Sequence, residues 1–490
     1  LFSLSHSWSF AMFRNTGFFL VCLSLSAAAL AQENEQRTTL ADQKEVAVTI
    51  YNENLALVKD VRRFAMKRGA VNLAFRDVSA NMRPETALLR SISSPGSLSV
   101  LEQNFNFELL TPQKMLEKFV GQTVNVIRTN PATGVETTEV AEVLSANEGV
   151  VLKIGNRIET GLPARIVYNS VPSNLRDRPT LMMALDNTQS AAQDVELSYL
   201  TGGLAWKADY VLELNPTEEK LDISAWVTLT NTSGASYKNA KLQLVAGDVN
   251  QVRNQFGAAN GAVMPMAAAP VAKVREMATE SLFEYHLYTL GRPTTIAENQ
   301  TKQVSLLGAT NVPARKEYLL RGADYYYQGA AGDLGQKLKV GTFLEFDNKE
   351  SSQLGMALPK GIVRVYKKDS TGSAQFIGED GIDHTPKNEK IRLKLGDAFD
   401  ITADKKQTDF KKIAGNSKYN YIFESAYEIV LKNAKKEAVT VTVQEPIPAD
   451  WQIQSTSHPY TKGSSNTAVW KIQVPAEGST KLIYRAQIRY

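Results

Sequence analysis

Glu379, Asp380, Asp383 and His384 fall within the six residues "EDGIDH". Carboxylates beside an imidazole are the residue types of acid–base chemistry, because a neighbouring carboxylate tunes the titration of a histidine. Gathered in a loop, the same carboxylates offer hard oxygen ligands of the kind calcium takes. Neither chemistry has its full pattern here. A calcium loop of the helix–loop–helix type needs acidic residues at alternate positions, a central glycine and a distal glutamate, and "EDGIDHTPKNE" departs from that order. The strand-like runs "AQFIG" and "KIRLKLG" flank the stretch, so it reads as a charged connection between strands. Asp383 is expected to bond the turn's own backbone amides, with no metal. The four residues remain the candidate functional loop.

A second group is Tyr199, Gly202, Gly203 and Trp206 in "SYLTGGLAWKADYVLEL". Paired glycines permit sharp bends and close backbone approach, and the flanking aromatics could line a ligand cleft. They equally fill a core around a β-bulge. Elsewhere the chain lacks a G-x-x-x-x-G-K-[ST] phosphate loop, an H-E-x-x-H zinc helix and a G-x-S-x-G nucleophile elbow. His286, His384 and His458 lie far apart in sequence and have no nucleophile context. No catalytic residue, metal or cofactor is assigned.

The elements that must position these residues are mostly strands. "VAVTIYNENLALVKDVRRFAM" reads as two strands about an Asn52–Asn54 turn. From about residue 180 one plan recurs. "ISAWVTLTNTSGASYKNAKLQLVAG", "GTFLEFDNKESSQLGMALPKGIVRVY" and "YEIVLKNAKKEAVTVTVQEPIPADW" each run an alternating strand to an asparagine (Asn231, Asn348, Asn433) and start another. Asparagine turns a chain by bonding its own backbone and by tolerating a left-handed conformation. The repetition predicts immunoglobulin-like β-sandwich units in series, with Trp226 and Trp451 in their cores. "DYYYQ" reads as a strand with Tyr325 and Tyr327 on one face.

Residues 111–172 have another texture. In "TPQKMLEKFVG" Thr111 is a helix N-cap, Pro112 opens the helix and Gly121 stops it. About five short strands follow, which predicts a small helix-plus-barrel insert of SH3-like or Sm-like order. The expected division is residues 45–110 as an N-terminal β region, this insert, a β-sandwich region 180–334, a second β unit 335–412 and a C-terminal sandwich 413–490. Residues 32–44 are expected to be disordered, and the Ala-, Gly- and Pro-rich stretch 255–280 to be a mobile loop.

The chain has 490 residues, with 55 basic and 51 acidic ones, and so a net charge of +4. That balance is too even to imply a nucleic acid or an anionic membrane surface as partner. Arg14, the apolar run "GFFLVCLSLSAAAL" and Ala29-Leu30-Ala31 read as a secretory signal peptide beginning at Met12, with residues 1–11 as upstream sequence. Cleavage after Ala31 would start the mature chain at Gln32 and remove Cys22, the sole cysteine. A mature chain without disulfides or a transmembrane helix fits an exported, periplasmic or cell-envelope protein. The alternating C-terminal "KLIYRAQIRY" resembles the end of an outer-membrane barrel, but the chain lacks evenly spaced ten-residue amphipathic strands.

"YLTGGLAWKADYVLEL", "AWVTLTNTSGASYKNAKLQLVAGDVN", "FEYHLYTLGRPTTI", "LPKGIVRVY" and "FIGEDGIDHTPKNEKIRLKLGDAFDI" together resemble the bacterial family called domain of unknown function 4139. The resemblance covers roughly residues 180–490, and residues 46–110 resemble that family's N-terminal strands. It implies a β-rich envelope protein and carries over no catalytic residue. The expected function is a non-catalytic binding or scaffolding role towards a protein or envelope polymer. The alternatives are an envelope-polymer hydrolase using residues 379–384, and an outer-membrane β-barrel pore.

Overall fold

Period-two alternation runs through the strands that build the molecule. In Leu55–Phe64, for example, Val58, Asp60, Arg62 and Phe64 are buried and Lys59 and Arg63 are exposed. The structure is a computed structural model, and it describes residues 35–490 apart from residues 53, 107, 162–164, 173–174, 248 and 251–276. The predicted signal peptide lies outside the described residues, as does most of the stretch 255–280; residues 277–280 open the strand Met277–Leu282. The chain divides into two compact units. One comprises Leu1–Ala205, Thr230–Gln243 and Arg292–Thr301, the other Trp206–Leu229, Leu244–Gly291 and Lys302–Tyr490. Among the described residues no helix is long and apolar enough to cross a membrane, and no sheet closes into a barrel.

In the first unit, Gln43–Tyr51, Leu55–Phe64, Gln193–Thr201 and Leu88–Ser91 are consecutive strands of one sheet. A second sheet has the order Glu35–Thr38, Gly69–Arg76, Thr180–Asn187, Leu98–Asn106. Glu35–Thr38 pairs in parallel with Gly69–Arg76, and Thr39 caps a short 3-10 turn at Leu40–Asp42. Residues 35–44 are therefore ordered, against the expected disorder. Their polar composition concealed what holds them, a backbone ladder and the double hydrogen bond of Arg176 to Glu35.

The same unit carries the insert. Thr111 Oγ1 accepts from Lys114 N at 3.1 Å, and the helix Pro112–Lys118 starts there as the sequence indicates. Met115, Leu116 and Phe119 pack on Val124, Val126, Val143 and Leu152. The strand order is Arg157–Thr160, Val151–Ile154, Glu136–Ser145, Thr123–Thr129, Arg165–Val167, all antiparallel. The expected closure is not made among the described residues. The two end strands are not paired, and they are only four and three residues long, which limits the edge left open.

In the second unit the long strands Asp333–Asp347, Lys390–Ala414, Tyr421–Asn433 and Gly478–Arg489 follow one another, with Asp450–Thr456 beyond them. Val439–Pro446 instead pairs in parallel with the end of Gln300–Arg321 and antiparallel with Thr467–Val474. Both sets bury their inward residues in one sandwich core. Trp451 lies in this core as expected, and so does Trp470, which is fully buried. Trp226 is only half-buried, because it alternates out of phase with the buried Ala225 and Val227. Asp324–Tyr327 is a 3-10 turn rather than a strand, so Tyr326 and Tyr327 are buried and Tyr325 is exposed.

The recurring asparagines all work in one way. Asn433 donates to the carbonyls of Glu437 (2.8 Å) and Pro475 (2.9 Å) and accepts from Lys435 N (3.0 Å). Asn231 donates to Ala235 and Ala297 and accepts from Ser233 N. Asn348 donates to Met356 and Pro386 and accepts from Gly355 N. Asn187, outside the three repeats, does the same: it donates to Lys67 and accepts from Gln189 N. All four are buried and none has positive φ. The carboxamide, not a left-handed backbone, carries the turn. Replacing Asn433 by Ala strands two carbonyls and an amide, at a cost of about 2–3 kcal/mol. Asn433→Asp costs at least as much, since its carboxylate would face two carbonyl oxygens. Urea unfolding checks this, and an Asp variant as stable as the wild type would contradict it.

Candidate functional site

The acidic stretch belongs to a hairpin in the second unit. Gly361–Lys368 pairs antiparallel with Ala374–Ile382, with Arg364 opposite Glu379 and Val363 opposite Asp380. Glu379 and Asp380 therefore lie on a strand, not in a turn, and consecutive strand residues face opposite sides. Only Asp383 and His384 fall in the connection to Lys390–Ala414. The cluster is thus divided by the pleat of the sheet.

Each side chain has a local task. Arg364 Nε is ion-paired with Glu379 (3.2 Å) and Arg364 Nη1 donates to the buried Asp209 (3.0 Å). Asp209 in turn accepts from Thr228 Oγ1 (2.7 Å), and Gln303 donates to that hydroxyl (3.1 Å). This chain of polar groups crosses several strands and satisfies a carboxylate that burial would otherwise penalise. Asp380 Oδ1 accepts from Gly381 N (2.9 Å) and Oδ2 from Lys394 N (2.7 Å). It is Asp380, not the expected Asp383, that binds backbone amides. The Asp383 side chain is 93% exposed, and its nearest cation is Lys360 Nζ at 3.8 Å. The reason is position: Asp380 faces the strand Lys390–Ala414, whereas Asp383 has left the ladder. His384 Nδ1 accepts from Lys360 N (3.2 Å), which assigns its proton to Nε2. Among the described residues no three His, Cys, Asp or Glu side chains are placed to hold a metal ion.

The glycine-aromatic group is also divided. Tyr199, Gly202 and Gly203 belong to the first unit and Trp206 to the second. Gly203 has φ +80°, and a Cβ there would stand 2.5 Å from Ser233 Cα. Its amide donates to Asn54 Oδ1 (2.7 Å), Gly202 N donates to Asn81 O (3.0 Å), and Thr232 N donates to Gly203 O (2.6 Å). Four connections meet here, and the glycines let them approach closely. Below them lies a buried hydroxyl network. Ser79 Oγ is 2.6 Å from Thr201 Oγ1 and donates to Ser233 O, Tyr199 Oη accepts from Ser79 N, and Tyr237 Oη is 3.1 Å from Ser233 Oγ. Burial pushes Tyr199 well above its ordinary pKa and Tyr237 to about 12, so both stay neutral at physiological pH. Trp206 is buried with its ring 6.5 Å from that of Tyr288. Gly203→Ala combines a strained φ with a backbone clash, and we expect a loss of about 3 kcal/mol or more, read by thermal unfolding. A variant within a few degrees of the wild-type Tm would refute the close approach.

Sequence reasoning missed one constellation. Lys405 and Glu445 are both buried and form an ion pair of 2.6 Å inside the C-terminal core. Strand parity held the clue. Lys405 shares the inward phase of Ile401 and Ala403, and Glu445 that of Val439, Val441 and Val443.

Two comparisons bear on identity. No curated protein matches the chain. The family model described as "Domain of unknown function (DUF4139)" matches residues 195–490, which takes in the sandwich strands, the 379–384 hairpin and Tyr199 to Trp206. That span exceeds half of the sequence, and the chain belongs to the DUF4139 family.

Proposed function

We infer that this is an exported bacterial envelope protein with a non-catalytic binding or scaffolding role. One observation carries the reading: three of the four candidate side chains are engaged in holding strands. Glu379 is held by Arg364, Asp380 by the amides of Gly381 and Lys394, and His384 by Lys360 N, on different sides of one hairpin. General acid–base catalysis needs such groups to converge on one reacting atom.

Surface features offer contact sites of the kind β-sandwiches use. Phe399 is 95% exposed beside a shallow groove of ≈570 Å³ lined by Asp400, Lys432 and Glu477. Ala374–Ile382 ends its sheet order and exposes Phe376. Protruding rings of this kind suit an extended protein segment or a polymer chain. The signal-like N-terminus supports export.

The test is to incubate the full chain with isolated envelope polymer and envelope proteins. Retention without release of soluble fragments is expected, and equally so for Asp383→Ala/His384→Ala. Fragments released by the wild type and not by that variant would overturn the reading in favour of a hydrolase.

A further inference from the structure

Lys405 and Glu445 sit on strands that are not hydrogen-bonded to each other. Lys390–Ala414 pairs with Asp333–Asp347 and Tyr421–Asn433, while Val439–Pro446 pairs with Gln300–Arg321 and Thr467–Val474. The ion pair therefore spans the core between two sets of strands. Lys405 is 2% exposed and Glu445 0%. Lys405 Nζ stands 4.2 Å from the ring centre of Tyr326 and 5.1 Å from that of Tyr427. Glu445 Oε2 takes Lys405 Nζ at 2.6 Å and the Tyr327 hydroxyl at 2.8 Å, with Tyr484 Oη 2.7 Å behind it. Glu445 Oε1 is buried and has no hydrogen-bond partner among the described residues. Gly322 closes the site, since a Cβ there would lie 2.2 Å from Oε2.

Two opposite charges in such a place are costly. Each ion loses its hydration, and a carboxylate with one oxygen unbonded does not recover all of it. Burial also lowers the pKa of Lys405, which favours the uncharged amine. Proton transfer from ammonium to carboxylate leaves an amine and a carboxylic acid in contact, away from bulk water. Those are the reactants of an amide, held by the fold at an effective concentration no free pair attains.

We propose that Lys405 and Glu445 condense into an intramolecular amide that ties the two sets of strands together covalently. The Nζ lone pair attacks Cδ and the C–N bond forms. The Cδ–Oε2 bond breaks, and Oε2 departs as water with two of the three ammonium protons. The third proton stays on the amide nitrogen. The Tyr327 hydroxyl polarises the carboxyl and holds the leaving oxygen, and Tyr484 backs it. One positive and one negative charge vanish together, and no oxidant or other reactant is needed. Oε1 remains as the amide carbonyl, for which an unbonded burial costs less than for a carboxylate. This linkage stands independently of the envelope-binding reading.

The test uses the full-length wild-type chain, denatured, digested with trypsin and analysed by mass spectrometry. The amide blocks cleavage after Lys405. The expected product joins residues 395–406 to residues 437–462, and it is lighter by one water than the two peptides together. Fragmentation locates the branch at Lys405 and Glu445. Recovery of the two segments as separate, unmodified peptides, with cleavage after Lys405, overturns the proposal. In a Lys405→Arg chain the joined peptide disappears, and its persistence there would equally overturn the assignment.

Discussion

Lys405→Met is expected to destabilise the second unit by about 3–5 kcal/mol, whereas Lys406→Met, one residue further on, costs under about 1 kcal/mol. The two lysines share a strand and differ in parity. Lys405 lies against tyrosine rings with its side chain 1% exposed, and its loss leaves the Glu445 carboxylate in the core with only the Tyr327 hydroxyl beside it. Lys406 is 56% exposed and pairs with Glu428 at 3.0 Å in a solvated setting, where such a pair contributes little. Replacing both buried partners, as in Lys405→Met/Glu445→Leu, removes the orphaned charge and recovers part of the loss. Urea unfolding at neutral pH measures all three. A Lys405→Met effect no larger than that of Lys406→Met would contradict the buried pair.

Alkaline pH gives the second large effect. Tyr199, Tyr210, Tyr327 and Tyr484 are raised well above the ordinary tyrosine value by burial, and Tyr237 and Tyr427 to about 12. Below about pH 10 these hydroxyls keep their protons in the folded and the unfolded chain alike, and this contribution is fully present. Above it the unfolded chain releases protons that the folded chain retains. Stability then falls as pH rises towards the folded values, by roughly 1.4 kcal/mol per pH unit for each tyrosine. Two such groups lie in the first unit and four in the second, so the slope is steeper for the second unit, which survives at about pH 9 and is lost between about pH 10 and 12. Tyrosinate absorbance and circular dichroism followed together read this. Gradual ionisation at ordinary tyrosine values, without unfolding, would show that the hydroxyls are not buried.

Strand alternation, the Thr111–Gly121 helix and the three recurring asparagines were legible in the sequence because each depends on neighbours along the chain. The shared task of those asparagines was legible only in part. Their carbonyl partners, Ala297, Pro386 and Pro475, lie 38 to 66 residues away, and no local pattern names them. Asn187 escaped notice since "DNTQS" looks like any polar turn. Of the candidate loop only Asp383 and His384 lie between strands as the sequence suggests, and the division of the four residues is not legible in it. Reading that division requires knowing that the strand runs on through Glu379 and Asp380 to Ile382. Lys405 and Glu445 were readable in principle, as charges in the inward phase of apolar strands. What alternation cannot supply is that the two phases meet across one core.

The central claim is that the chain acts in the envelope by binding, with Glu379, Asp380 and His384 serving the fold. Cross-linking in living cells, followed by mass spectrometry of the captured full chain, tests it most directly, because one sample reports both the processed N-terminus and the neighbours. The account predicts a chain that begins at Gln32 and is cross-linked to envelope components, with the same neighbours for Asp383→Ala/His384→Ala. A chain retaining residues 12–31 and cross-linked to cytoplasmic components would contradict it.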